Sequence, residues 1–165
     1  MNWLFGRQEE PRRPSDPIVQ PVQEEDSPAA LAALRFQANR LINASAGQLP
    51  GAAVVAARRV TDVVDTVLFA TRDRDLDIHA RVSINGMLRD YLPTTLRAYL
   101  ALDPAVRNRP RPNGISPTAA LTEQLDFLLS SATEVLDAVQ NDDADALVAQ
   151  GNFLRTKFGR SELDL

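Results

Sequence analysis

Cysteine is absent from the 165 residues, so neither a disulfide nor thiolate chemistry is open to this chain. Histidine occurs once, at His79, which excludes a two-histidine metal site within a single copy. Lysine also occurs once, at Lys157, and every other basic residue is Arg; with the abundance of Ala and Val, this points to the codon bias of a GC-rich bacterial genome and carries no function. No stretch offers the ~18 uninterrupted apolar residues of a membrane span, and the first residues hold no apolar run of signal-peptide length, so the expected location is cytoplasmic. Neither a Gly-rich phosphate loop nor a nucleophile elbow occurs, and no metal or cofactor is expected.

What remains is an apolar, helix-prone chain. Hydrophobic residues make up 44% of it, enough for one domain with a real core. The net charge of −4 is unevenly spread, with a basic middle over 28–113 and an acidic third over 114–165. Oppositely charged helices of a small bundle neutralise each other in this way, and a basic surface for an anionic partner is the competing reading.

Residues 8–28 hold five prolines, many charges and few apolar groups, the composition of a segment that cannot bury enough surface to offset its ordering entropy. The expected organisation is a disordered tail over 1–27, a helical domain over 28–158 and a frayed end over 159–165. Ser27-Pro28 reads as an N-cap with proline at the first helical position, opening a helix over 28–46 with Leu31, Leu34, Ala38, Leu41 and Ser45 on one stripe. A second helix, 51–71, carries Ala53, Ala57, Val60, Val64 and Val67. Residues 76–84 alternate strictly between apolar and polar and lead to Asn85-Gly86, the pattern of a strand entering a hairpin. No partner strand follows, so a helix over 75–91 is expected instead, capped by Asp73 or Asp75.

In "RDYLPTTLRAYLAL" the proline stands inside a helical pattern, where it would cost roughly 3 kcal/mol. Pro93 is therefore expected to open a new helix, 93–102, with Leu92 held away from helical angles and Tyr91, Leu96 and Tyr99 packing at the joint. A basic, proline-rich loop spans 103–116. Ser116 and Pro117 then start a fifth helix whose Leu121, Leu125, Leu128, Ala132, Val135 and Val139 form an unbroken seam, serving as internal core or as a homodimer interface. Asp142 or Asp143 is placed to cap a sixth helix, 143–157, with Gly159 to end it. The fold class is an all-α antiparallel bundle of five to six helices.

Asp75 and His79 stand four residues apart near Asp77 and would share a helical face, but one imidazole with carboxylates makes half of a typical site. Nucleic-acid binding would draw on Arg58, Arg59, Arg72, Arg74, Arg81, Arg107, Arg109 and Arg111. The loop offers no aromatic side chain for base stacking and the chain is net acidic, so no nucleic-acid partner is expected. Trp3, Leu4 and Phe5 have more character. Apolar side chains at the end of a polar tether call for a protein partner, a peripheral membrane contact or docking on their own domain.

Tyr91, Leu92, Pro93, Thr95, Leu96 and Tyr99, followed by the long fifth helix and the acidic Asp142–Leu147 junction, resemble the carboxyl-terminal half of the bacterial 5-bromo-4-chloroindolyl phosphate hydrolysis protein family. The resemblance spans residues 78–158 at most, and the hydrophobic segment often found towards the amino terminus of that family has only "MNWLFGR" in its place. It implies packing roles for Tyr91, Leu92, Pro93, Leu96 and Tyr99, and a link to bacterial stress or toxic-anion response. The function expected is a non-enzymatic helical interaction or adaptor module. The alternatives are a phosphate-ester hydrolase or metal-dependent enzyme using Asp75, Asp77 and His79, and an anion or nucleic-acid binder using the Arg-rich middle.

Overall fold

The computed structural model describes residues 26–142 and 144–159. Among the described residues six α-helices follow one another: α1 (Pro28–Ser45), α2 (Gly51–Ala70), α3 (Ile78–Gly86), α4 (Leu92–Leu100), α5 (Pro117–Asn141) and α6 (Ala144–Gly159). A π turn, Met87–Tyr91, joins α3 to α4, and Pro104–Val106 form a short 3-10 turn. The molecule is an all-α bundle, with no strand among the described residues. The tail over 1–25, including Trp3, Leu4 and Phe5, lies outside the described residues, as do Asp143 and residues 160–165.

Local chemistry starts the helices. The Ser27 hydroxyl accepts from the Ala30 N–H with Pro28 at the first helical position, and Ser116 repeats the device with Ala119 and Pro117. α3 begins at residue 78 rather than 75, and its cap is Asp77, not Asp73 or Asp75. The Asp77 carboxylate accepts from the His79 N–H. Residues 71–76 serve as a connector in which Leu76 is already buried, so the helix starts only after that side chain has entered the core. The alternation over 76–84 is thus split between a connector and a helix whose Ala80, Ser83 and Ile84 face inward while Ile78 and Val82 stay exposed.

Pro93 corrects a second expectation. Leu92 is helical, at φ −64° and ψ −50°, and the chain passes through the proline without a joint. The Leu92 N–H donates to the Met87 carbonyl five residues back, so the turn is one residue wider than an α turn. That widening gives the pyrrolidine ring the room an α-helical carbonyl would deny it. α3, the π turn and α4 therefore make one helical run across residues 78–100. Gly86 serves the same bulge: a Cβ there would stand 3.3 Å from Cε2 of Tyr91, whose ring folds back over it.

α1 and α2 lie antiparallel, tied by Arg58 to Asn43 at 2.8 Å, Thr61 to Asn39 at 2.8 Å and Arg35 to Asp65 at 3.1 Å. α2 packs along α5, where Leu121, Leu125, Leu128, Ala132, Val135 and Val139 are all buried with the apolar stripe of α2. Both helices run from the end held by Arg107 to the end held by Arg74. α6 packs on α5 and α3 and runs alongside the α3 strut in the same direction, with Gly151 against Ser83 and Phe158 stacked on Tyr91 at 5.0 Å.

Candidate functional site

The residues singled out in the sequence do not converge. Asp75 and Asp77 line a small cavity of about 200 Å³ with Arg74 and Asp142, while the exposed His79 lines a different one between α3 and α6. Arg74 occupies the first cavity for structural ends. It donates to the Val139 carbonyl and pairs with Asp142 at 3.2 Å, closing the carboxyl-terminal end of α5. Asp142 itself takes a left-handed conformation at φ 57° and terminates α5, so it does not cap α6. No group of three or more His, Asp or Glu side chains suited to a metal ion occurs among the described residues.

Several arginines of the basic middle are committed within the fold. Arg58 bonds Asn43, Arg72 pairs with Asp73 and lies over the Phe69 ring, and Arg74 holds α5. Arg107 departs furthest from its expected place on a basic loop surface. Only 9% exposed, its guanidinium donates to the carbonyls of Leu102, Gln48 and Leu100 at 3.0–3.1 Å and stands 4.9 Å from the centre of the Tyr99 ring. Its own carbonyl accepts from Thr118, whose hydroxyl lies 3.1 Å from the Tyr99 hydroxyl. Arg109 and Arg111 remain exposed.

Tyr99 and Leu102, both held by that anchor, line a cleft of about 600 Å³ between α4, the 103–116 loop and the start of α5. Tyr99, Leu102, Ile115, Pro117 and Leu121 supply its apolar lining. Thr95, Arg111, Asn113 and Gln124 add polar groups, and Ile115 stands 41% exposed. Of the motif residues, Leu92, Pro93, Leu96 and Tyr99 are buried and Tyr91 is half-buried.

A second concavity, about 270 Å³, lies between α3 and α6 beside the π turn. Val82, Val148 and Leu154 give it an apolar side; His79, Ser83, Tyr91, Asn152 and Arg155 give it a polar one. The close approach of the two helices is possible because Gly151 carries no side chain: a Cβ there would meet the Ser83 hydroxyl at 3.3 Å. Ser83 is 4% exposed and its hydroxyl has no hydrogen-bond partner. Burial pushes the Tyr91 phenol above its ordinary value, the Asp90 carboxylate adds to the rise and Arg155 opposes it.

Sequence reasoning placed Gly151 on the α6 stripe but missed Ser83, Asn152 and Arg155 as a group. The available signal was a glycine among Leu147, Leu154 and Phe158, which marks a close approach without naming what approaches. No helix among the described residues is long and apolar enough to cross a membrane. No family model, curated protein or solved structure matches this chain.

Proposed function

We propose that the protein is a non-enzymatic helical interaction module whose α4–α5 cleft receives a segment of a protein partner. The cleft carries the reading: at about 600 Å³ it is of the size that accepts a few side chains, and its exposed Ile115 is solvated apolar surface in the absence of a partner. Exposed Arg109 and Arg111 on the flanking loop favour an apolar segment bordered by acidic residues. Trp3, Leu4 and Phe5 provide a second contact, with the same partner or peripherally with a membrane. The resemblance carried by Tyr91 to Tyr99 supplies the proposed setting, bacterial stress or toxic-anion response in the cytoplasm.

Ile115→Asp tests the cleft, because an exposed side chain can change without disturbing the core. Partner recovery from host extract is compared with wild type and with Val55→Asp, which alters an exposed apolar position on α2. The expected result is a set of proteins lost by Ile115→Asp and kept by Val55→Asp, at unchanged helicity. The same set recovered by all three proteins would remove the cleft from the function.

A further inference from the structure

We propose that the cavity between α3 and α6 binds a small organic anion, with its charged oxygen head among Ser83, Asn152 and Arg155 and its apolar body against Val82, Val148 and Leu154. This site is separate from the α4–α5 cleft and does not depend on it.

The polar side of the cavity is built from groups that can donate. Arg155 donates to Oδ1 of Asn152 at 2.6 Å, which uses the acceptor of that amide and leaves its NH2 group as a donor. Arg155 makes no ion pair among the described residues, and no carboxylate lines the cavity. The Tyr91 hydroxyl and the His79 ring complete the set. A fixed positive charge with several donors and no anionic lining suits an oxyanion or a carboxylate rather than a cation.

Ser83 is the independent sign that something belongs there. A buried hydroxyl normally finds a partner, because leaving it unmade forfeits the interactions it had in water. Gly151 leaves the hydroxyl uncovered by any side chain at that position of α6, since a Cβ there would stand 3.3 Å from it. The volume and the three apolar residues specify the rest of the ligand. At about 270 Å³ the space exceeds what an inorganic ion fills, and Val82, Val148 and Leu154 would stay wet around one.

The test uses the full-length protein, isotope-labelled, titrated with benzoate, phenyl phosphate, inorganic phosphate and the neutral benzyl alcohol while amide shifts are followed. Benzoate or phenyl phosphate is expected to produce saturable shifts at Ser83, Asn152 and Arg155 with Kd of about 1 mM or tighter. Whichever of the two binds more tightly identifies the head as carboxylate or phosphate. Benzyl alcohol and inorganic phosphate are each expected to bind about tenfold more weakly. Arg155→Gln, at an exposed position that leaves the core intact, is expected to weaken the anions about tenfold and leave benzyl alcohol unchanged. Ser83→Ala, which removes only the hydroxyl, is expected to weaken them about threefold. Absence of saturable shifts with both aromatic anions would overturn the proposal. So would benzyl alcohol or inorganic phosphate binding as tightly as the aromatic anions, or unchanged affinity in Arg155→Gln.

Discussion

A guanidinium surrounded by carbonyls differs from one in water because each of its donors replaces a solvent contact that burial has removed. Arg107 satisfies the carbonyls of Gln48, Leu100 and Leu102, part-buried acceptors at the junction of two loops and a helix end. Arg107→Ala is expected to lower unfolding stability by about 3 kcal/mol, read from the midpoint of a urea transition at constant slope. Arg109→Ala, two residues along and exposed, should change it by less than about 0.5 kcal/mol. Equal effects at the two positions would contradict the assigned role. Nothing in "RNRPRP" distinguishes Arg107 from Arg109 and Arg111, since the difference is made by Gln48, 59 residues earlier in the chain. The same holds for Ser83 and Arg155, which are ordinary polar residues on two helices until tertiary packing brings those helices together. Asp75, Asp77 and His79 show the converse: their closeness along the chain suggested a shared site, and the turn between the connector and α3 sends them to different cavities.

Among the elements, the helices were legible because their signals are local. Ser27-Pro28 and Ser116-Pro117 each specify a start within four residues, and the α2 and α5 stripes repeat at helical spacing for about four and about five turns. The π turn was not legible, since a proline inside a helical pattern is equally compatible with a break, a kink or a bulge. What selects the bulge is the burial of apolar side chains along it and on both sides: Ile84 before, Met87 and Leu88 within, Leu92 and Leu96 after. Pro93→Ala restores one backbone donor, worth about 1 kcal/mol, but removes buried ring methylenes at about 0.8 kcal/mol each and frees the unfolded chain. A net loss of about 1 kcal/mol with unchanged helicity is expected by denaturation and circular dichroism. A clear gain would show that the proline opposes the turn instead of fitting it.

At the scale of the whole molecule, the α5 seam decides how the chain stays together. Its apolar residues are covered by α2 and the other helices of the same copy, so one chain suffices to bury them. Leu128, fully buried at the middle of the seam, gives the cleanest probe. Leu128→Ala is expected to cost about 3 kcal/mol, with an unfolding midpoint independent of protein concentration. A midpoint that rises with concentration would show instead that copies share this surface. The π turn also has a consequence for the molecule as an evolving object. One extra residue of winding sets the angular offset between α3, which meets α6, and α4, which meets α5. Deleting a residue anywhere between 87 and 91 would turn the face of α4 by about 100° relative to α3. Leu92, Leu96 and Tyr99 would then leave the core together, whereas a change of side chain at the exposed Asp90 keeps the length of the turn. Drift in this stretch is therefore closed to any change in length.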